Sequence, residues 1–212
     1  MKTSILKNGF LLGLFALLCT AFVAVVNYGT ADKIKQQQQL ELKRTLHQLI
    51  PDSMHDNELA EYCILIHNEE ALGIDIPLPS YIATQESVPV AIAIEAVAPD
   101  GYNGDIKLII GIDSSGKVLG VRTLSHTETP GLGDKIDLRK SDWVLSFNQK
   151  RLDSDTDKHW NVKKDGGDFD QFTGATITPR AYVKAVRKAL IYFNENSESL
   201  LKRPANCEVD YR

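Results

Sequence analysis

The sequence predicts an α+β fold in which one apolar helix precedes a domain built on an antiparallel sheet. Residues 9–28 contain no charged residue, four later segments are rich in branched apolar residues, and a clear amphipathic helix follows those segments. Because strands and helices do not alternate regularly along the chain, we expect neighbouring strands to pair antiparallel through short turns. A doubly wound parallel sheet is not expected.

The apolar segment at residues 9–28 is long enough to cross a membrane, since about twenty helical residues span the ~30 Å hydrocarbon core of a bilayer. Lys2 and Lys7 precede this segment and Asp32 follows it. By the positive-inside rule, residues 1–8 then lie in the cytoplasm and the rest of the chain lies outside it.

Two alternatives compete with a permanent membrane span. Gly29 and Ala31 could mark the cleavage site of a signal peptide, although the apolar core is long for one. Cys19 could carry a lipid, but Leu18 replaces the small residue expected before a lipidated cysteine. We therefore predict a retained helix with Cys19 as an apolar residue facing the membrane.

The remaining chain divides into a helical stalk at residues 29–60 and a folded domain at residues 61–212. Residues 32–50 are polar with a narrow apolar stripe, and Pro51 ends this helix. The formal net charge of −4 disfavours nucleic acid as a partner, because phosphate contacts need clustered Lys and Arg.

Four strands are predicted in the folded domain. They are YCILIH from Tyr62, VPVAIAIEAVA from Val88, DIKLIIGI from Asp105 and KVLGVRTLS from Lys117. The turn at residues 113–116 contains a glycine and predicts a hairpin between the last two strands. A second turn cluster, at residues 99–104, allows the strand before it to reverse as well.

Two helices are predicted after the strands. Ser141 is a good N-cap for a short helix that ends at Phe147. Thr178 is predicted to cap the longer helix, with Pro179 as its first residue. Apolar residues then recur at helical spacing as far as Phe193.

The cysteines do not form a metal-binding pattern, because Cys19, Cys63 and Cys207 are far apart in the sequence. Cys63 and Cys207 both follow the apolar segment, so a disulfide between them is possible in an oxidising compartment. Sequence spacing leaves that question open, because it says nothing about the distance between the two Cα atoms.

The segment Asp170-Gln171-Phe172-Thr173-Gly174-Ala175-Thr176-Ile177-Thr178-Pro179 is a candidate anion site, since it leads small residues into a helix N-terminus. Free N–H groups and the helix dipole stabilise a phosphate at such a position. An ordinary turn and helix cap would give the same pattern, and both interpretations stay open on these residues alone.

No other segment supports a metal site or a hydrolase. The glycines of the loop at residues 126–135 lack the third glycine of a dinucleotide fingerprint. Asp165, Asp168 and Asp170 do not have EF-hand spacing. His126, Glu128 and His159 show no helical metal-ligand spacing, and no nucleophile elbow occurs. We expect no metal site and no catalytic residue.

Several motifs together closely resemble the RnfG family, the G subunits of Rnf ion-translocating electron-transport complexes. They are GYNGDI, GIDSSGKVLGV, TETPGLGDK and VKKDGGDFDQFTGATITPRA. The resemblance covers almost the whole chain, and the C subunits of sodium-translocating NADH:quinone reductases are similar more distantly. It implies an FMN-binding domain that relays electrons in a complex coupling electron transfer to ion translocation.

The resemblance also implies particular residues. The threonine that closes the Thr-Gly-Ala-Thr motif accepts FMN as a phosphoester, which would be Thr176, and Thr178 is the nearby competitor. Other expected neighbours of the cofactor are Thr173, Gly174, Ala175, Glu128, Thr129, Leu132, Gly133, Lys163 near the phosphate or ring, and Asp170 as the leading acid of the motif. In the family a separate flavin transferase supplies the FMN from FAD.

By the same resemblance, the partners are other membrane and iron–sulfur subunits, and the folded domain lies on the periplasmic side of a bacterial inner membrane. The resemblance does not distinguish ion pumping from reduction of an iron–sulfur regulator. Two other classes remain as alternatives: a membrane-anchored binding protein without redox activity, and a hydrolase or transferase that uses an acid pair such as Asp165 and Asp168.

Overall fold

The computed structural model describes residues 2–207, apart from the side chains of Lys2 and Ser4. The chain divides after Leu42 into two compact units. The first contains most of a long helix, and the second contains the end of that helix and everything that follows it.

Helix α1 spans Lys2–Leu49 and is long and apolar enough to cross a membrane. Its apolar side chains in the first unit are exposed rather than packed in a core. The hydroxyls of Thr20 and Thr30 donate to the carbonyl oxygens of Ala16 and Val26, at 2.9 and 2.8 Å. These hydroxyls thus find partners within the helix, and Thr20 lies in the segment predicted to cross the membrane, where polar groups need such partners.

The second unit contains a five-stranded sheet whose strands follow one another in chain order, each antiparallel to the next. The strands are β1 Cys63–Ile66, β2 Leu78–Gln85, β3 Val88–Ala98, β4 Ile106–Asp113 and β5 Val118–Ser125. The predicted α+β class, with an apolar N-terminal helix and an antiparallel sheet, is confirmed.

Four of these strands were predicted and β2 was not. A tight turn at Glu86 and Ser87 connects β2 to β3, and both residues have positive φ, at 51° and 66°. Glycine or asparagine usually fills such positions. The turn therefore lacks the residues that signal a hairpin in a sequence.

The predicted hairpin between β4 and β5 is confirmed. The Asp113 carboxylate accepts hydrogen bonds from the backbone N–H groups of Ser115 and Lys117, at 2.9 and 3.0 Å. Gly116 adopts a φ of 87°, which favours glycine. The Asp113 side chain therefore stabilises the turn in addition to the hydrogen bonds between the two strands.

Helix α2 spans Glu69–Leu72 and helix α3 spans Ile177–Leu201. Short 3₁₀ segments occur at Asp52–Met54, Leu59–Glu61, Gly133–Ile136, Asp142–Phe147 and Lys163–Asp165. Ser141 caps the fourth of these by accepting a hydrogen bond from the N–H of Trp143, as predicted, although that segment is 3₁₀ rather than α-helical.

The main core lies between one face of the sheet and α3. It joins sheet residues such as Ile94 and Ile110 to Tyr182 and Val186 of the helix. Within it, the rings of Phe147 and other aromatic residues stack or meet edge to face. The core fixes the start of α3 beside the end of β5, where the candidate site lies.

The end of α1 packs on the sheet through Leu49, which is buried. A Cβ added to Gly111 would lie 3.2 Å from the Leu49 Cβ, and one added to Gly120 would lie 3.0 Å from the Leu49 Cδ2. Both glycines therefore allow the close approach of the last helical turn to β4 and β5.

A disulfide joins Cys63 and Cys207, whose Cα atoms lie 5.4 Å apart. Beside it, Asn206 donates its N–H to the Cys63 carbonyl at 3.0 Å and accepts from the N–H of Leu65 at 2.7 Å. The segment after α3 thus pairs with part of edge strand β1, which would otherwise present unpaired backbone groups.

Candidate functional site

A cavity of about 250 Å³ opens between the loop that follows β5 and the start of α3. The loop at residues 126–135 forms one wall, and the segment at residues 170–179 forms the facing wall. Its lining residues are Tyr102, Glu128, Thr129, Leu132, Gly133, Gly174, Ala175, Thr176, Ile177 and Thr178.

Helix α3 begins at Ile177, with Thr176 in the N-cap position. The prediction that Thr178 caps the helix and Pro179 is its first residue is therefore wrong by two positions. The hydroxyl of Thr178 donates to Glu128 Oε2 at 2.6 Å instead of capping the helix. Pro179 remains within the first turn, where a missing N–H breaks no helical hydrogen bond.

Two features distinguish Thr176 from Thr178. The Thr176 side chain makes no capping hydrogen bond, and the residue is only partly buried against the cavity. The N–H groups of Ile177 and Thr178 begin the helix and have no acceptor within it. A phosphate on the Thr176 oxygen would therefore lie at the positive end of the α3 dipole.

Thr178 is in a different environment, because its side chain is fully buried. Its partner Glu128 is only 4% exposed and also accepts from the N–H of Asn103, at 3.2 Å. This carboxylate thus joins the turn after β3, the loop after β5 and α3. A Cβ on Gly133 would lie 2.6 Å from Glu128 Oε2 and 2.8 Å from Thr178 Oγ1, so a larger residue there would displace this hydrogen-bonded pair.

The mouth of the cavity is apolar. Tyr102, Leu132 and Ile177 line it and are 66%, 40% and 46% exposed. Tyr102 and Ile177 were not predicted as site residues. For Tyr102 a signal existed, since a large aromatic side chain in a glycine-containing turn has little core to pack against; Ile177 gave none.

Three predicted residues do not line the cavity. Thr173 is exposed beside Gly174, which has a φ of 80° and turns the chain towards the helix. Lys163 Nζ pairs with Asp170 Oδ1 at 2.6 Å. The remaining predicted residues, Thr176, Gly174, Ala175, Thr178, Glu128, Thr129, Leu132 and Gly133, all line it.

The acidic loop pairs its carboxylates with cations. Arg180 donates two hydrogen bonds to Asp165, at 2.6 and 2.8 Å, and holds the pKa of that carboxyl below its usual range. Hydrogen bonds from His159 and Lys150 lower the pKa of Asp168. Carboxyls with lowered pKa values are poor general acids near neutral pH, so the acid-pair alternative gains no support here.

Comparison with known proteins agrees with this geometry. Residues 101–191, which include every residue lining the cavity, match the model of an FMN-binding domain. Residues 1–49 match the model of the RnfG N-terminal region.

Curated relatives match over the whole chain. A protein from Shewanella loihica, named as the G subunit of an ion-translocating oxidoreductase complex, is 70% identical over 211 residues, covering 100% of both chains. Proteins of the same name from Shewanella piezotolerans and Vibrio parahaemolyticus are 67% and 54% identical, each covering 99% of both chains. On these findings, the chain belongs to the RnfG family, the G subunits of ion-translocating oxidoreductase complexes.

Proposed function

We propose that this chain carries FMN bonded through its phosphate to Oγ1 of Thr176, and that it relays electrons within a membrane complex that couples electron transfer to ion translocation. The relatives are named as subunits of an ion-translocating oxidoreductase complex, and the matched domain is described as FMN-binding. The observation that carries the residue assignment is the uncapped, partly buried Thr176 at the N-terminus of α3.

The residues around the cavity fit FMN. Pockets that enclose a whole ligand usually measure about 300–1,000 Å³. A cavity of about 250 Å³ with an apolar mouth would hold part of a planar ring and leave an edge exposed. Bound FMN would supply reversible electron transfer, while the protein sets its position and potential. An exposed edge suits exchange with redox centres on partner subunits.

Three threonines occur in this segment, and only one suits attachment. Thr178 is fully buried and its hydroxyl is bonded to Glu128. Thr173 does not line the cavity. Thr176 lines the cavity, has no capping hydrogen bond and places its oxygen at the helix N-terminus.

The attachment reaction balances with FAD as the donor. The Thr176 oxygen forms a bond to the FMN phosphorus of FAD, the pyrophosphate bond to that phosphorus breaks, and AMP leaves while the hydroxyl proton is released. A separate flavin transferase would catalyse this step. The chain itself is then the acceptor, and it needs no nucleophile-activating base of its own.

We further propose that the second unit lies on the periplasmic side of a bacterial inner membrane, anchored by α1. The Cys63–Cys207 disulfide supports this placement, since structural disulfides form in oxidising compartments. The partners would be other membrane and iron–sulfur subunits of the complex. Nucleic acid is not a proposed partner, given the net charge of −4.

Intact mass and visible absorption test the attachment. The chain produced with its flavin transferase should gain the mass of one FMN less one water, and should be yellow. Thr176→Ala should lose both signals completely, because the neighbouring hydroxyl of Thr178 is buried and bonded to Glu128. Thr173→Ala is the matched control and should retain both.

Two outcomes would contradict the proposal. If Thr176→Ala kept the mass gain while Thr178→Ala lost it, the assignment of the oxygen would be wrong. If the wild-type chain were colourless and unmodified beside an active transferase, the binding-protein alternative without redox activity would replace electron transfer.

A further inference from the structure

A second cluster of polar side chains, with no residue in common with the cavity, lies where α1 ends. It consists of His47, Asp52 and His55, each of which offers one ligand atom within 4.8 Å of the others. All three belong to the second compact unit. No metal site was predicted from the sequence.

The backbone holds the three residues together. His47 lies in the last turn of α1, and Pro51 ends the helix with an extended conformation. Asp52 follows in a 3₁₀ turn, and His55 is extended at the end of that turn. Because Leu49 beside this turn is buried, the exit from the helix is anchored to the domain.

The segment after His55 is fixed to strand β2. Asp56 donates its N–H to the Thr84 carbonyl at 2.8 Å. Asn57 accepts from the Thr84 N–H at 2.8 Å and donates to the Ile82 carbonyl at 2.9 Å. His55 is therefore held on rigid backbone rather than on a free loop.

The ring of His55 has one nitrogen, Nε2, that faces the cluster without a hydrogen-bond partner among the described residues. Its side chain is 5% exposed, and its Nδ1 lies 2.8 Å from the Asn57 carbonyl oxygen. Since a carbonyl can only accept, Nδ1 carries the proton, and Nε2 of the neutral ring has a lone pair. That Nε2 is also buried. A buried polar atom without a partner is uncommon in folded proteins.

The other two side chains face this nitrogen. Asp52 Oδ1 lies 3.8 Å from His55 Nε2, which is too far for a hydrogen bond, and 2.5 Å from His47 Nδ1. The rings of His47 and His55 have centroids 5.8 Å apart. Two imidazoles and one carboxylate thus converge on one point from both sides of the helix end.

We propose that His47, Asp52 and His55 bind one divalent transition-metal ion of the zinc class. A tetrahedral ion with bonds of about 2.0–2.2 Å needs ligand atoms roughly 3.4 Å apart. The two separations that involve Asp52, 2.5 and 3.8 Å, lie on either side of that value, and all three ligand atoms lie within 4.8 Å of one another. Side-chain rotations would then bring the three ligands to the distances that the ion needs. Imidazole nitrogens favour zinc over calcium or magnesium, which prefer oxygen.

The surroundings supply what such a site needs beyond its ligands. The Asn57 carbonyl fixes the His55 tautomer and ring orientation, as outer-shell partners of metal-bound histidines commonly do. Asp52 is exposed, so water can reach the fourth coordination position. The ion would hold the last turn of α1 to the 52–55 segment, which gives it a structural role independent of the flavin site.

Zinc titration of the full chain tests the proposal. The chain, purified in detergent without a polyhistidine tag and stripped with a chelator, is titrated calorimetrically with Zn²⁺ at about pH 7.5, where histidine is largely neutral. We expect one ion per chain. His55→Gln and His47→Gln should each weaken binding at least tenfold, because each removes a ligand.

His67→Gln is the matched control. His67 also pairs with an aspartate, Asp75, at 2.8 Å, but the described residues place no third ligand beside that pair. Its replacement should leave the stoichiometry and affinity unchanged. Zinc should also raise the unfolding temperature of the wild type and of His67→Gln by several degrees, and of neither cluster variant.

The proposal is overturned if wild-type affinity for zinc is no higher than that of His47→Gln. His47 is partly exposed, so we expect His47→Gln to fold. This variant therefore tests the proposal even if the chain with the buried His55→Gln replacement fails to fold. Equal losses in His67→Gln would equally overturn it, since zinc would then bind surface His–Asp pairs without selection.

Discussion

At the scale of single residues, one buried carboxylate holds together the walls of the cavity proposed to bind FMN. Glu128 accepts hydrogen bonds from the Thr178 hydroxyl and the Asn103 N–H. A buried carboxylate without hydrogen-bond partners is costly, so these two donors stabilise Glu128 in its buried position. Thr178 therefore acts as a positioning residue that holds the loop after β5 against α3, whereas the hydroxyl of Thr176, two residues earlier, caps nothing.

Thr178→Val tests this division of roles, because valine keeps the shape of threonine and removes its donor. We expect the free energy of unfolding to fall by about 1–3 kcal/mol, the cost of leaving a buried acceptor without its partner. Urea unfolding followed by tryptophan fluorescence would measure it, since Trp143 and Trp160 are both buried in the second unit.

Thr173→Val is the control for that measurement. Thr173 is exposed in the same segment, so its replacement should change the free energy of unfolding by less than about 0.5 kcal/mol. Equal effects of the two replacements on the free energy of unfolding would show that the hydrogen bond from Thr178 to Glu128 does not stabilise the fold.

At the scale of secondary-structure elements, the sequence predicts strands that are rich in branched apolar residues or bounded by glycine-containing turns. It does not predict strands that lack these features. Strands β3, β4 and β5 have dense branched residues and glycine-containing turns, so their positions follow from composition. Strand β2 contains Pro79, Ser80 and Thr84 and ends in a turn of Glu86 and Ser87, so no local signal marks it. Its place is set by pairing with β1 and β3.

The site shows the same contrast. The small-residue loop that enters α3 has the local signature of an anion site, but only the resemblance to the RnfG family singles out Thr176 within it. The exact helix start could not be assigned from the sequence, since it depends on the bond from Thr178 to Glu128, fifty residues away in the chain. Tyr102 likewise reaches the cavity only through the fold of the sheet.

Strand β3 carries a half-buried acid, Glu95, that makes the stability of the sheet depend on pH. Burial raises the pKa of Glu95 to about 7, although Lys107 and the Tyr81 hydroxyl act in the opposite direction. A raised folded-state pKa means that the protonated form is favoured in the fold. The contribution to stability is therefore full below about pH 4.5, falls between about 4.5 and 7, and stays low above 7.

Glu95→Gln should remove that dependence. At about pH 8 the variant should be more stable than the wild type by up to about 3 kcal/mol, less whatever the lost contact with Tyr81 contributes. At about pH 4.5 the two should be nearly equal. Urea unfolding at both values measures the difference, with the exposed Glu61→Gln as control. A constant difference between Glu95→Gln and the wild type would contradict the assigned burial effect.

At the scale of the whole molecule, the apolar helix can be predicted from the sequence, whereas the disulfide of the folded domain cannot. Composition alone predicts a membrane helix, because a helix of about twenty apolar residues matches the thickness of the hydrocarbon core of a bilayer. The sequence could not predict the disulfide, because 144 residues separate Cys63 from Cys207. Only the fold brings their Cα atoms to 5.4 Å. Closing so long a loop stabilises such a domain by about 2–5 kcal/mol.

The disulfide makes the proposed location of the domain measurable in cells. If α1 exports the second unit, Cys63 and Cys207 oxidise to a disulfide and Cys19 is the one free thiol. Alkylation of the denatured chain should then add one label before reduction and three after it. A chain without residues 1–28 stays in the reducing cytoplasm and lacks Cys19, so it should take two labels with or without reduction. Three labels on the unreduced full chain would place the second unit in the cytoplasm, and the proposed periplasmic location would be wrong.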